Sequence, residues 1–431
     1  MPAGRSGVPA FLLASLAVFG LAADGGGYDA TSWGWATIAL AWVAAASLVF
    51  GSDRRLSRLE LVALAALGAL VVLAALSTLW SSSLPLSVLD AQRLLVPFAG
   101  LAAFLLVGGR GAMLGGVAAA ATAVSLWNLV TRHGAGPESG ADAQPLGYGN
   151  GVAILAGVGL LLALGLAREL PAYRLVGLAA AIPLAAVFVL PDSRAALIAV
   201  AAGAAATVAL RSRRARIAFP AALAMAAAVL VVAAITGSAE RPAYWRVALE
   251  EAAGEPVLGS GAGTWVRAWL ERRDEAFPAR DAHGLYLETL SELGPLGLAL
   301  VLTALGVPLV AAYRARREPL VPVAAGAYAA FVLHAGVDWD LELTSVALAG
   351  IACGAVLLGA AGRERIRLPR APALVTLGAV ALAGAASLAG NAYVESAARA
   401  LRAGDASAAE PRAERATQLA PWSAEAWRLR G

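Results

Sequence analysis

The stretch that decides the fold is LELVALAALGALVVLAALSTLW, which occupies positions 59–80. Glu60 is its one charged residue. A helix needs about 17–25 predominantly apolar residues to cross the hydrocarbon core of a bilayer. This stretch therefore predicts a transmembrane helix, and its character recurs along most of the chain.

Roughly thirteen segments have the length and apolar character of a span, two or three of them marginally short. They lie at 8–23, 33–51, 59–80, 94–109, 111–130, 149–167, 175–190, 195–210, 217–236, 293–313, 320–337, 343–361 and 372–390. None contains a run of alternating polar residues, so helices satisfy the backbone here rather than a β-barrel.

The composition of the whole chain agrees with these spans. Its 431 residues are 60% hydrophobic and 14% charged, whereas soluble domains carry about 25% charged residues. The predicted fold class is an all-α, polytopic transmembrane helical bundle of about 12–13 spans. Cys353, the single cysteine, lies inside a span and indicates core packing rather than a disulfide or a metal site.

The basic residues indicate which way each loop faces, and all of them are Arg because the chain has no Lys. With the N-terminus in the cytoplasm, the inner loops hold Arg5, Arg54, Arg55, Arg58, Arg110, Arg168, Arg174 and the arginines within 211–216, 314–317 and 363–370. The short outer loops hold only Arg93, Arg132 and Arg194. The positive-inside rule thus predicts a multi-pass cell-membrane protein with an extracytoplasmic C-terminus. Because topology explains the arginines, the net charge of +4 calls for no nucleic-acid partner.

One long break in hydrophobicity, 237–286, is predicted to be a large extracytoplasmic loop, and chemistry is expected there. The bundle, including this loop, is assigned to residues 1–390 and a separate outer tail to residues 391–431. The tail is helical in pattern and looks like the start of tetratricopeptide-type repeats, which bind protein partners. A short amphipathic tail on the membrane is an equal alternative. A partial repeat at the last residue suggests that the natural protein continues past Gly431.

Two arginines in the outward-facing regions are candidates for binding an anion. Arg194 follows Leu190-Pro191-Asp192-Ser193 where one span ends and the next begins, as either a snorkelling anchor or a fixed cation. Arg241 precedes Pro242 at the predicted start of a helix that also carries Trp245 and Arg246. An interfacial amphipathic helix with solvated arginines is the alternative for this segment.

Further along the loop, Gly259, Gly261 and Gly263 permit tight turns, and the helix after them can present N–H groups to a phosphate. The pattern is weak and is not a Walker loop, because no Lys-Ser/Thr follows. His283 in Asp281-Ala282-His283-Gly284 is the best candidate base, because it lies in the outer loop and histidine titrates near neutral pH. His133 and His334 are interpreted as structural. With three histidines in all, no metal site is predicted.

Taken in order, several motifs resemble those of the O-antigen ligase and polymerase superfamily. The resemblance covers about residues 60 to 360 and is carried by Leu76-Ser77-Thr78-Leu79-Trp80-Ser81, Leu146-Gly147-Tyr148-Gly149-Asn150, Ser193-Arg194, Arg241 with Trp245, Pro256-Val257-Leu258-Gly259 with Gly261, His283 with Tyr286, Leu293-Gly294 and Asp338-Trp339. Family members commonly have Asn after the loop histidine, where this chain has Gly284. The resemblance implies a GT-C-like fold.

The resemblance also implies a glycosyltransferase that needs no metal or other cofactor. It would move a saccharide from an undecaprenyl-diphosphate-linked donor to a glycan, lipid or protein acceptor in assembly of cell-envelope polysaccharide. Arg194 and Arg241 would stabilise the departing diphosphate, and His283 would orient or deprotonate the acceptor hydroxyl. The expected substrate-binding residues are Arg246, Trp245, Gly259, Gly261, Tyr286 and Asn150. Two alternatives are a polysaccharide or lipid-linked glycan flippase and a non-catalytic envelope scaffold.

Overall fold

The computed structural model describes residues 7–51, 55–132, 144–238, 240–274, 279–362 and 364–431. Within these ranges the chain forms seventeen α-helices and one pair of short strands. The helices are α1 (Val8–Ala23), α2 (Ala30–Phe50), α3 (Arg58–Ser77), α4 (Leu84–Val107), α5 (Arg110–Thr131), α6 (Gly149–Glu169), α7 (Arg174–Val189), α8 (Arg194–Arg211), α9 (Ala215–Gly237), α10 (Arg241–Gly254), α11 (Trp265–Arg272), α12 (Leu285–Arg314), α13 (Val321–His334), α14 (Thr344–Ala361), α15 (Arg370–Arg402), α16 (Ala406–Leu419) and α17 (Ala424–Arg430). The strands are β1 (Arg55–Ser57) and β2 (Arg365–Arg367), which pair antiparallel.

The predicted class, a polytopic helical bundle, is confirmed. Eleven of the described segments are long and apolar enough to cross a membrane, and α1 and α13 are shorter apolar helices. All predicted spans therefore coincide with helices. The most deeply buried is α14, which packs against α1, α4, α5, α6, α12 and α13. Its residues from Thr344 to Leu358 are all buried, including Cys353.

Three helices extend beyond their predicted spans, and one of them is α12, which begins at Leu285, before its break at Gly294. Helix α4 begins at Leu84 rather than at residue 94, and it includes Asp90 and Arg93. These two side chains form an ion pair one helical turn apart, so the helix tolerates charges that a hydropathy criterion rejects. Helix α15 continues past residue 390 to Arg402, and its second half packs against α16.

The loops predicted to be cytoplasmic meet at one end of the bundle. Strand β1 lies between α2 and α3, β2 lies between α14 and α15, and their pairing brings Arg55 opposite Arg367. Arg110 donates to the carbonyl of Gly359 at 3.1 Å, which joins the α4–α5 connection to the end of α14. We call this the ribbon end. Arg241, His283 and Asp338 lie at the other end, the loop end.

The loop between α10 and α11 is seated on a break in α12. Gly294 interrupts that helix with φ 64° and ψ −169°, and Pro295 follows it. A Cβ on Gly294 would collide with the carbonyl of Val257, and one on Gly259 would collide with the backbone of Glu292. Glycine at both positions thus allows two backbones to touch, which fixes the loop against the bundle.

We expect Gly294→Ala to destabilise the protein by at least about 1–2 kcal/mol, because it adds a Cβ to a left-handed residue and creates a clash. Gly306→Ala is the matched control on the same helix, where an added Cβ would meet nothing within 4 Å. Thermal unfolding in detergent checks both variants. Equal melting temperatures for the two variants would contradict this account of the break.

Candidate functional site

Arg241 lies at the start of α10 and is fixed from the segment between α13 and α14. Its Nε donates to the carbonyl of Val337 at 3.0 Å, and its Nη2 donates to Oδ2 of Asp338 at 3.2 Å. The Arg241 side chain is 17% exposed and that of Asp338 is fully buried. Two of the guanidinium nitrogens are therefore fixed by hydrogen bonds, while part of the group remains accessible to solvent.

Asp338 is the centre of this arrangement. Besides Arg241, its carboxylate accepts from the Tyr148 hydroxyl at 2.7 Å, from the Asn150 amide at 2.8 Å and from the backbone N–H of Trp339 at 2.9 Å. Burial alone would raise the pKa of Asp338, but the charges of His334, His283 and Arg241 and the Tyr148 hydrogen bond outweigh it and lower the pKa. Asp338 is thus an ionised carboxylate that ties α6, α10 and the α13–α14 connection together.

A cavity of about 280 Å³ lies beside Arg241, and it is lined by Asn150, Asp192, Ser193, Arg194, Ala195, Leu230, Ala233, Ala234, Gly237 and Arg241. Three residues predicted from sequence, Arg194, Arg241 and Asn150, are therefore brought together from α8, α10 and α6. Four residues separate α7 from α8, as the sequence predicted. The side chain of Ser193 caps α8 by accepting from the N–H of Ala196.

Arg194 differs from Arg241 in how it is held. It is exposed, and it forms no ion pair or hydrogen bond with another residue in the described part of the chain. Its Nη1 lies near the end of α9, 3.7 Å from where a Cβ on Gly237 would be. The cavity therefore has one fixed guanidinium and one that is free to adjust to an anion.

His283 lies next to this cavity rather than in its lining. Its φ of 49° is in the left-handed region, which is uncommon for a residue other than glycine. Its carbonyl accepts from the indole N–H of Trp245 at 3.2 Å, and its ring is 5.2 Å from that of Tyr244 and 6.4 Å from that of Trp339. The strained backbone is thus held by aromatic side chains of α10 and of the α13–α14 connection.

The charge on His283 is set by Asp281. Nδ1 of the imidazole lies 3.0 Å from Oδ1 of Asp281. Burial lowers the pKa of His283, but the hydrogen bond to Asp281 and the charges of Asp281 and Asp338 outweigh it, which raises the pKa to about 9. At neutral pH the resting His283 is therefore an imidazolium, and it becomes a base only after losing that proton.

The loop that carries Gly259, Gly261 and Gly263 forms hydrogen bonds to α12. The carboxylate of Glu292 accepts from the N–H groups of Gly263 and Trp265, each at 2.8 Å. The N–H of Gly261 donates to the Glu292 carbonyl at 2.9 Å. An internal carboxylate thus occupies the position at the start of α11 where a phosphate was expected. The absence of a Cβ lets Gly259 approach the backbone of α12 and lets Gly261 approach Ser81 in the α3–α4 connection.

Two further predicted binding residues lie away from the cavity. Arg246 is on the exposed face of α10, where it pairs with Glu250 at 3.0 Å and with Asp274 at 2.7 Å. Tyr286 donates to the carbonyl of Val332 at 3.0 Å, which ties α12 to α13. Trp245, by contrast, donates to the carbonyl of His283. Of the predicted set, the structure groups Arg194, Arg241 and Asn150 in one cavity, with His283 and Trp245 adjacent.

Sequence reasoning missed a second buried charge cluster. Arg93, predicted to lie in an outer loop, is in α4 and pairs with Asp90 and, at 3.0 Å, with Glu342. Glu288 and Glu292 in α12 are also buried. Asp90 and Arg93 pair within α4, whereas Glu342, Glu288 and Glu292 link the helices to loop residues at the loop end. The sequence signal was the short Asp-x-x-Arg spacing at 90–93.

Of His133 and His334, both interpreted from the sequence as structural, the structure describes only His334. His334 is fully buried, and its Nδ1 lies 2.6 Å from Oδ2 of Asp340, so it belongs to the interior. His133 falls outside the described residues. Among the residues that the structure describes, no three His, Cys, Asp or Glu side chains converge in a group that could hold a metal ion.

A cavity of a helical membrane bundle that holds two guanidiniums beside a histidine is suited to binding an anionic group. Residues 178–302 match the family model described as O-antigen ligase (Wzy_C). The matched region includes Arg194, Arg241 and His283, whereas Asn150 and Asp338 lie outside it. This match confirms, over that region, the resemblance to the O-antigen ligase and polymerase superfamily. At family level this supports a membrane glycosyltransferase of polysaccharide biosynthesis. No curated protein matches the chain.

Proposed function

We propose that this protein transfers a saccharide from an undecaprenyl-diphosphate-linked donor to an acceptor hydroxyl, outside the cytoplasmic membrane and without a metal ion. The observation that carries this proposal is the cavity shared by Arg194, Arg241 and Asn150. Its volume of about 280 Å³ is at the lower limit of pockets that enclose a whole small molecule, about 300–1,000 Å³. It therefore suits the diphosphate of the donor rather than the whole glycan.

The two arginines support departure of the diphosphate. As the bond from the anomeric carbon to the diphosphate oxygen breaks, that oxygen gains negative charge. Guanidinium groups placed at the oxygen stabilise this charge more in the transition state than in the ground state. Asp338 already neutralises part of the Arg241 charge and fixes the orientation of that side chain. The exposed Arg194 therefore supplies most of the positive charge that stabilises the departing diphosphate.

His283 is the group proposed to act on the acceptor. Its Nδ1 faces Asp281, so Nε2 is the nitrogen that can contact the acceptor hydroxyl. When the acceptor oxygen bonds to the anomeric carbon, its proton passes to Nε2 of the neutral imidazole, and the donor leaves as the lipid diphosphate. Asp281 is a positioning residue, because it fixes the tautomer and stabilises the imidazolium formed in this step.

We expect Arg194→Lys and Arg241→Lys to lower glycan transfer about 10- to 100-fold, because an ammonium retains charge but lacks the planar fork for two phosphate oxygens. The measurement is release of lipid diphosphate by the purified protein in nanodiscs, with a panel of undecaprenyl-diphosphate oligosaccharides and acceptors and with chelator present. Arg246→Lys is the matched control and should transfer at the parental rate. Full activity of both site variants, or activity that only an added divalent ion supports, would refute the proposal.

The pH profile separates a base from an orienting group. If neutral His283 accepts the proton, kcat/KM should rise about tenfold per pH unit and level off above about pH 9, the pKa of His283. Asp281→Asn removes the interaction that raises this pKa, so the inflection should move down towards about 6.5. A profile that is flat from pH 6 to 9 would exclude His283 as the base and leave it an orienting role.

The predicted orientation places the loop end outside the cell. Val257 in the loop is 72% exposed, and Ser212, beyond α8, is also exposed. In intact cells, Val257→Cys should react with an impermeant thiol reagent and Ser212→Cys should not. The unaltered chain is the blank, because its Cys353 is buried. The reverse labelling pattern would invert the topology and place the reaction in the cytoplasm.

A further inference from the structure

A second cavity lies at the ribbon end, away from Arg194 and Arg241. It has a volume of about 910 Å³ and is lined by Ser57, Arg58, Leu59, Tyr313, Arg314, Ala315, Arg316, Arg317, Glu318, Ala360, Ala361, Gly362 and Glu364. The start of α3, the end of α12 and the end of α14 form its walls. Its volume is within the range of about 300–1,000 Å³ that is typical of ligand sites.

The lining carries four arginines against two glutamates, so the cavity is electropositive. Both glutamates already have partners: Glu364 lies 3.4 Å from Arg58, and Glu318 lies 4.0 Å from Arg110. Arg314 and Arg317 are exposed, and neither forms an ion pair within the described ranges. The cavity therefore has two guanidiniums whose charge no carboxylate in the described part of the chain offsets.

Other lining groups make the cavity amphipathic. The guanidinium of Arg316 lies over the Tyr313 ring, 4.5 Å from its centroid, and donates to the Tyr313 carbonyl at 3.0 Å. Apolar side chains of Leu59, Ala315, Ala360 and Ala361 line the rest. The cavity thus places positive charge beside apolar side chains at the level where membrane-crossing helices end. That arrangement is complementary to a phospholipid, whose anionic head group lies next to its acyl chains.

We infer that this cavity binds the phosphate head group of an anionic phospholipid in the leaflet at the ribbon end. Arg314 and Arg317 bind the phosphate, and the apolar wall contacts the glycerol and upper acyl region. Arginines that act only as topology signals need no cavity, whereas the end of α12 places Arg314 and Arg317 together in the lining of one. A free phosphate would satisfy the arginines but would leave the apolar wall unused, which favours the lipid.

The test is thermal unfolding of the full-length protein in detergent, titrated with phosphatidylglycerol, cardiolipin or phosphatidylcholine. The two anionic lipids should raise the melting temperature and phosphatidylcholine should not. In the double variant Arg314→Gln/Arg317→Gln, the half-saturating concentration of the anionic lipids should rise about 10- to 30-fold. Lipids that remain with the unaltered protein through purification, measured by mass spectrometry, should also be enriched in anionic species.

The matched control is Arg213→Gln/Arg214→Gln, which removes two exposed arginines from the α8–α9 connection. It should respond to lipid as the parent does. An equal loss in both double variants would show non-specific attraction and overturn the proposal. Stabilisation by inorganic phosphate at the same concentrations would assign the cavity to a soluble anion instead. Glycan transfer is not part of the readout, so the outcome is independent of the proposed function.

Discussion

The loop end depends on one buried charge. Asp338 is fully buried and ionised, and an ionised carboxylate in a low-dielectric interior is costly unless it is paired and hydrogen-bonded. Its partners come from parts of the chain 97 to 190 residues away: Arg241, Tyr148 and Asn150. Loss of any one leaves the charge under-solvated, so the helices that supply these partners are held in a single relative position. That constraint fixes the Arg241 and Asn150 sides of the cavity.

Hydrophobicity predicted most of the fold because membrane spans are determined locally. A span must satisfy its own backbone, so length and apolar character reveal it whatever its neighbours are. Helices α4 and α15 run past their predicted spans where that local rule does not hold. Helix α4 includes Asp90 and Arg93 because they neutralise each other. Helix α15 remains helical past residue 390, where α16 packs against it. Both effects depend on partners that hydropathy does not report.

The site was predictable in part, for the same reason. Arg194 and Arg241 could be selected because charge at a membrane boundary is conspicuous in sequence. Asp338, which positions Arg241, could not be assigned a role, since the pairing spans 97 residues and one acid in an acidic loop segment gives no local signal. The glycine loop shows the converse difficulty. Its pattern suits a phosphate, but Glu292 in α12 occupies the amides, and only the three-dimensional structure reveals that competition.

The length of α15 has a consequence for the C-terminal segment. At about 1.5 Å per residue, its 33 residues extend about 50 Å, whereas the hydrocarbon core is about 30 Å thick. The surplus is one continuous helix, and α16 folds back against it through Ala397 and Ala413. Helices α16 and α17 are therefore joined to the bundle by a continuous helix rather than by a flexible linker. A partner bound to these helices would be held at a height and orientation set by α15 rather than by a flexible chain.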